Sequence, residues 1–310
     1  MGELRKDYIL DRWVITSSGR GKRPHEFEKR ELVHEGVCYF CPGNESLTPK
    51  EIGRVAQNGG WSVRWFENKF AAVKPEGRPF PTTDNRFFTF AGAYGKHEII
   101  VETPRHDKQL AELSADEIEQ VLHVYARRIL VLEGEQNIKY VNVFKNHGFL
   151  GGTSLVHSHS QIIATSFIPQ VIEDKMHAMS RFLQCPYCAI VAEEQKGARK
   201  CFENGDFLAF TPYCSRFHFE VWIFPKAHIA RLEQVNFKSL AGIVRSVLRK
   251  VHEGNLDYNL LIQYGPRGAD FHFHIEICPR VALWAGFELG SGVIINSVSA
   301  EDAAKFYRGE

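Results

Sequence analysis

The sequence predicts an α+β protein built from two tandem copies of one unit, each a mostly antiparallel sheet with a packed helix. Three observations predict it: five features recur in one order, two long helices are marked by caps and apolar spacing, and the runs between them are β-rich. The first copy reads Cys38-Tyr39-Phe40-Cys41, a strand-like stretch 97–102, Pro104-Arg105-His106, an amphipathic helix, and His157-Ser158-His159-Ser160-Gln161. The second reads Cys185-Pro186-Tyr187-Cys188, a strand-like stretch 219–224, Pro225-Lys226-Ala227-His228, a helix, and His272-Phe273-His274-Ile275-Glu276. Self-similarity of this kind marks a repeat. The division falls within 166–184, giving expected units of 1–170 and 171–310.

Ser114 with Glu117 forms a capping box, and Ile118, Val121, Leu122, Tyr125, Ile129 and Leu132 recur at helical spacing down to Gly134. One face of that helix must be buried. Its counterpart starts at Asn236, which can cap, and runs through Leu240, Val244, Val247, Leu248 and Val251 to a stop at Gly254. Strands are expected at 138–144, 161–165, 258–264 and 272–277, so each unit pairs a sheet with a helix layer. The stretch 74–86, with Pro75, Pro79 and Pro81, reads as an exposed loop.

Composition narrows the partners. The 310 residues carry 38 Lys plus Arg against 37 Asp plus Glu, a net charge of +1, which argues against nucleic acid. With 44% hydrophobic and 24% charged residues the chain is globular and can bury a sizeable core. No run approaches the roughly 20 apolar residues of a membrane span, and the charged start lacks an apolar signal region. No membrane partner is expected, and the cytoplasm is the expected compartment.

Two Cys-x-x-Cys pairs in a long chain without a secretory signal read as metal ligands more readily than as a disulfide scaffold. Zinc takes four ligands in a tetrahedron, and such a turn supplies two thiolates. The repeat offers two imidazoles to each pair: His106 and His157 to Cys38 and Cys41, His228 and His272 to Cys185 and Cys188. Two closed, structural zinc sites are the expectation. The competing readings are redox dithiols and histidines satisfied within a core. Cys201, Cys214 and Cys278 lack metal spacing and are expected to be buried small hydrophobes.

Residues i and i+2 of a strand share a face, so His157, His159 and Gln161 form one row. With His157 committed to a metal, His159 stays free, and a neutral imidazole nitrogen is a competent nucleophile. Attack on phosphorus would give an energy-rich phosphoramidate, suited to passing the group onward. The preceding loop, Asn146 through Gly151, Gly152, Thr153 and Ser154, allows backbone N–H groups to approach oxyanions. Arg20 and Arg23 add guanidiniums suited to phosphate, the plainer alternative being a solvated basic turn.

Val143-Phe144-Lys145-Asn146 through His157-Ser158-His159-Ser160-Gln161, with the paired Cys-x-x-Cys motifs and Pro104-Arg105-His106-Asp107-Lys108, resembles the galactose-1-phosphate uridylyltransferase family of the histidine-triad superfamily. The resemblance runs from about Arg12 to the C-terminus. It implies two histidine-triad-like units and ping-pong exchange of UMP between UDP-glucose and galactose 1-phosphate. His159 would be the nucleophile and Gln161 would bond the α-phosphate. Arg20, Arg23, Ser154, Thr153 and the adjoining Gly152 would hold phosphates, with Asn146 positioning the site and Asn68 near the nucleoside. Cys38, Cys41, His106 and His157 match the family's first zinc site, and Phe287 and Glu288 fall where the family contacts the hexose, often across a homodimer interface.

The chain departs from that pattern. Where the resemblance implies a second metal site of a glutamate and three histidines, Lys175 and Tyr264 stand at two of the positions. Cys185, Cys188, His228 and His272, with the ending Gly286-Phe287-Glu288-Leu289-Gly290-Ser291-Gly292, resemble a related branch that includes ADP-glucose phosphorylase. Asn68-Lys69-Phe70 replaces an Asn-Asp-Phe, exchanging an acceptor for a cation near the nucleoside. Adenylyl transfer from ADP-glucose to phosphate is therefore the alternative activity, and a zinc-stabilised nucleotide-binding protein without chemistry is the third reading.

Overall fold

The structure, a computed structural model, describes residues 2–17 and 36–310. Its strands in chain order are β1 Glu3–Lys6, β2 Trp13–Thr16, β3 Glu51–Gln57, β4 Gly60–Glu67, β5 Thr82–Thr83, β6 Thr89–Phe90, β7 Gly95–Val101, β8 Tyr140–His147 and β9 His159–Thr165. They continue with β10 Lys200–Glu203, β11 Phe207–Phe210, β12 Val221–Pro225, β13 Tyr258–Gln263, β14 His274–Pro279 and β15 Ile294–Asn296. Its helices are α1 Ala115–Glu133, α2 Gln170–Met179, α3 Pro186–Glu194, α4 Phe237–Glu253, α5 Gly286–Ser291 and α6 Ala300–Arg308.

Ten strands form one sheet in the order β10-β11-β12-β14-β13-β8-β9-β7-β4-β3, with every neighbouring pair antiparallel. Reading outward from the β13–β8 seam gives the repeat directly: β8, β9, β7, β4 and β3 on one side match β13, β14, β12, β11 and β10 on the other. The seam pairs Tyr258 with His147 and Leu261 with Phe144, and Tyr140 stacks on Tyr264 with centroids 5.2 Å apart. Separately, β1 and β2 pair with each other, and β15 joins β2 in parallel, so the start of the chain packs against its end.

The two long helices occupy the expected places because their local signals agree with their burial. Ser114 accepts the Glu117 N–H and Glu117 returns to the Ser114 backbone, closing the capping box, while Asn236 caps α4 by accepting from Ser239. Both helices pack on one face of the sheet, and their buried Ile118, Val121, Leu122, Ile129, Val244, Val247 and Leu248 join strand residues of both halves in one core. Each such aliphatic side chain contributes roughly 1.5–3 kcal/mol by leaving water. On β9, Ile162 and Ala164 enter this core, and the alternation of the strand turns His159 and Gln161 to the opposite face. The stretch 74–86 is mostly exposed, with Thr82 and Thr83 in a two-residue ladder to Thr89 and Phe90.

The stretch 166–184, where the halves were expected to divide, carries α2, whose Ile172, Lys175, Ala178 and Met179 are buried. Cys201, Cys214 and Cys278 are buried free thiols, as small apolar fillers should be. No helix among the described residues is long and apolar enough to cross a membrane.

Candidate active site and metal centres

Each Cys-x-x-Cys turn meets its two imidazoles in space. In the first half the ligand atoms of Cys38, Cys41, His106 and His157 all lie within 4.8 Å of one another. Cys38 Sγ is 3.5 Å from His157 Nδ1, and Cys41 Sγ is 3.4 Å from His106 Nδ1 and 3.6 Å from His157 Nδ1. A tetrahedral zinc requires sulfur–nitrogen edges of roughly 3.6 Å, so the donor set fits the ion. His157 Nε2 donates to the Thr103 carbonyl at 2.7 Å, which leaves Nδ1 as the ligating atom and fixes the ring. The second half repeats this: Cys188 Sγ lies 3.3 Å from His228 Nδ1 and 3.6 Å from His272 Nδ1, while Nε2 of each ring bonds Asp270 and the Pro225 carbonyl. Burial and the neighbouring thiol push Cys41 up to about 11 when no cation is present, so metal binding must expel protons.

His159 stands immediately beyond the first cluster. Its Nδ1 lies 2.8 Å from the His157 carbonyl oxygen, which can only accept, so Nδ1 carries the proton and Nε2 keeps the lone pair. Burial, then the Lys145 ammonium, push this ring down to about 4, which keeps it neutral in ordinary solution. Phe40, from the Cys-x-x-Cys turn, meets the ring edge-on at 5.3 Å. The Cys/His cluster thus holds the His159 ring on two sides, through the His157 carbonyl and through Phe40.

Beneath the strand lies a buried ionic network that the sequence reading missed. Lys145 Nζ donates to Glu102 at 2.7 Å, Ser158 Oγ at 3.0 Å and the His159 carbonyl at 3.1 Å, using all three of its hydrogens. Glu102 also accepts from Ser158, Ser160 and Tyr125. Burial alone would raise the Glu102 carboxyl, but Lys145 and the two serines hold it below its ordinary value. A carboxylate and an ammonium with every site satisfied pin the backbone that carries His159.

Two clefts meet at this ring. One, about 480 Å³, is lined by Phe40, Phe66, Asn68, Lys69, Phe70, His97, Ser154, His159 and Gln161. The other, about 240 Å³, is lined by Asn146, Gly148, Phe149, Thr153, His157, His159 and Asp257. The structure therefore brings together Asn68, Asn146, Thr153, Ser154, His159 and Gln161. Gly152, at φ +80°, shapes the loop between the clefts. Thr153 is turned inward, its hydroxyl donating to the Leu155 carbonyl and its N–H to the Gly148 carbonyl, so in this state it braces the loop. Phe287 and Glu288 lie on exposed α5, away from both clefts, with Glu288 capping its own helix at Ala285. Arg20 and Arg23 lie outside the described residues.

The second half supports the loop in ways no motif disclosed. Asn259 Nδ2 donates to Asn146 Oδ1 at 2.9 Å and to the Gly151 carbonyl at 2.7 Å, and Asp257 accepts the Leu150 N–H at 2.8 Å. A methyl on Gly151 would strike the carbonyls of His147 and Tyr258, which is why the loop can close this tightly only with glycine there.

A neutral imidazole between a glycine loop and an amide suits attack on a phosphoryl group, and comparison with known proteins agrees. Residues 2–169 match the family model described as galactose-1-phosphate uridyl transferase, N-terminal domain, more than half of the chain. The chain belongs to this family. It is 30% identical to an ADP-glucose phosphorylase of Arabidopsis thaliana, covering 99% of this chain and 92% of the relative, and 30% identical to a galactose-1-phosphate uridylyltransferase of Thermotoga maritima, covering 99% and 98%. Among solved structures, the Arabidopsis ADP-glucose phosphorylase with bound ADP-glucose superposes with a TM-score of 0.86 at 28% identity, covering 100% of this chain and 99% of that one. A uridylyltransferase structure gives 0.78 at 27% identity, covering 100% and 98%. The protein is a nucleotidyltransferase of the galactose-1-phosphate uridylyltransferase family, similar in equal measure to two of its activities.

Within this uridylyltransferase scaffold the matching histidine of the second half is engaged on both ring nitrogens. His274 occupies the place of His159 and likewise holds the carbonyl two residues back, His272, through Nδ1 at 2.9 Å. Its Nε2, however, accepts from Lys175 Nζ at 3.3 Å, and Lys175 also donates to Gln263 and Glu276. Tyr264 donates its hydroxyl to the Val141 carbonyl. The Lys175 ammonium thus joins His274, Gln263 and Glu276 in one buried cluster.

Proposed function

We infer that the protein transfers a nucleoside monophosphate through a covalent nucleotidyl-His159. The observation carrying this is the His159 ring: it stands outside the four-ligand cluster, its Nδ1 proton is held by the His157 carbonyl so that Nε2 keeps the lone pair, and it lines both clefts, which also hold Gln161 and the glycine loop. Nε2 attacks the α-phosphorus of a nucleoside diphosphate hexose; the nitrogen–phosphorus bond forms, the bond to the bridging oxygen breaks, and hexose 1-phosphate leaves with that electron pair. Positive charge then builds on the ring, and the Nδ1–H bond to the carbonyl strengthens. A second phosphate oxygen attacks the phosphoramidate and restores neutral His159. Cys38, Cys41, His106 and His157 would hold zinc, as would Cys185, Cys188, His228 and His272; zinc in these closed sites supplies structure.

The donor is read as UDP-glucose and the acceptor as galactose 1-phosphate, supported by the uridylyltransferase relatives. The second reading, adenylyl transfer from ADP-glucose to phosphate, is favoured by the equal identity to the Arabidopsis phosphorylase. The apolar surface of Leu283, Trp284, Phe287 and Leu289 supports a homodimer in which Phe287 and Glu288 reach a neighbouring site. Intact-mass measurement after exposure to UDP-glucose and ADP-glucose in turn tests the reading. A UMP-sized or AMP-sized increment on His159, lost in His159→Asn, is expected and names the base; no increment with either donor defeats covalent transfer.

A further inference from the structure

His97 is a buried residue in the wall of the larger cleft, on β7, one strand from His159. It carries no motif and stands outside the metal clusters and the Glu102 network. Three residues from two segments converge on its ring. The Ala72 N–H donates to Nδ1 at 3.2 Å, so Nδ1 is the bare nitrogen. In the neutral ring, which burial favours, Nε2 must then carry the proton. Nε2 lies 2.9 Å from Gln161 Oε1 and therefore donates to it. A carboxamide whose oxygen is held in this way can present only its NH₂ to the cleft beside His159. Asn68 Nδ2 lies 3.1 Å from the same nitrogen, and Asn68 Oδ1 accepts the Phe70 N–H at 2.9 Å, so this segment packs directly against the ring.

We propose that His97 is a positioning residue: it fixes the amide of Gln161 so that two N–H donors face the phosphoryl group that His159 attacks, and it locks this to the 68–72 segment that walls the cleft. This rests on the transfer reading above. The ring has one geometry that serves both bonds, so the segment lining the nucleotide cleft and the amide at the reacting phosphorus are set by the same side chain. Without it Gln161 can rotate and offer its oxygen, which repels a phosphate oxygen.

The test uses the full-length protein and three variants, with zinc content and Tm measured for each. His97→Gln places a donor near the position of Nε2, His97→Asn keeps only the acceptor for Ala72, and His97→Ala removes both. The readout is the single-turnover rate of His159 labelling at saturating donor. His97→Ala and His97→Asn are expected to slow it about tenfold or more with the apparent donor affinity changed less, and His97→Gln to recover most of the rate. His97→Ala should add nothing on top of Gln161→Ala. A His97→Asn variant as fast as His97→Gln, or a double variant slowed by the product of the single effects, overturns the proposal. The ¹⁵N spectrum of the His97 ring in the wild-type protein gives a readout free of activity and of variant folding: protonated Nε2 is expected, and protonated Nδ1 rules the proposal out. Absence of any labelled wild-type protein would defeat the transfer reading, while the tautomer still decides the His97 contact.

Discussion

Lys175 Nζ lies 3.3 Å from Nε2 of His274, filling the lone pair that the corresponding His159 leaves open. The same ammonium lies 2.6 Å from Glu276, with Arg216 Nη2 on the other carboxylate oxygen at 3.1 Å. Lys175→Met removes one partner of a buried pair, and a loss of about 3–5 kcal/mol in denaturant unfolding is expected. Peptide mapping of the labelled variant should still find nucleotide on His159 alone, because the Gly265-Pro266-Arg267-Gly268 loop before His274 lacks the Gly151-Gly152-Thr153-Ser154 run. Label on His274 would show that Lys175 alone silences the second half.

The metal clusters differ in what they hold up. Cys41→Ser loosens both His157 and the Phe40 turn against His159, so loss of about one zinc per chain should come with turnover lowered roughly tenfold or more. Cys185→Ser removes a ligand far from the reacting ring; an equal loss of zinc should lower Tm with a smaller effect on turnover. Metal analysis, calorimetry and turnover on the same preparations check this, and equal activity losses would show that the distinction is wrong.

Acid should weaken the Glu102 network. Its carboxyl sits below the ordinary 4.5 in the folded protein, so the unfolded chain takes up the proton earlier as pH falls. The stabilisation is therefore complete above the ordinary value and is lost as pH drops from about 4.5 through the folded value. Glu102→Gln should flatten that part of the stability–pH curve and, by leaving buried Lys145 without its counter-charge, cost about 3–5 kcal/mol at neutral pH. Urea midpoints at several pH values read both effects.

Neighbouring glycines should respond differently to alanine. At Gly152 the φ of +80° costs about 1–2 kcal/mol, but the space is open. At Gly151 the new methyl meets the His147 and Tyr258 carbonyls, which belong to the β8–β13 seam and cannot yield. Gly151→Ala should therefore depress His159 labelling more than Gly152→Ala, a ranking that stopped-flow mass measurements can check.

Elements with strong local signals were legible in the sequence. The capping box at Ser114 and the apolar spacing of the two long helices located them to within a residue, and the repeated Cys and His motifs located both four-ligand Cys/His clusters. The β3–β4 hairpin was missed although Asn58-Gly59, both at positive φ, is a strong turn signal between the paired strands. The short α2 starts after Pro169 without a side-chain cap and α3 has weak periodicity, and Lys175 on α2 acquires meaning only against His274. Glu102, Lys145, His97 and Asn259 were illegible for a common reason. Each works through a partner on another strand or in the other half, and sequence spacing does not encode that pairing.

The β13–β8 seam has an evolutionary consequence. Two separate copies meeting edge to edge would form a twofold assembly, in which any substitution appears at both sites at once. Joining the copies in one polypeptide breaks that obligation. One half can place a lysine beside His274 and lend asparagine and aspartate to its neighbour's loop, while the neighbour's His159 stands without such a lysine on its ring.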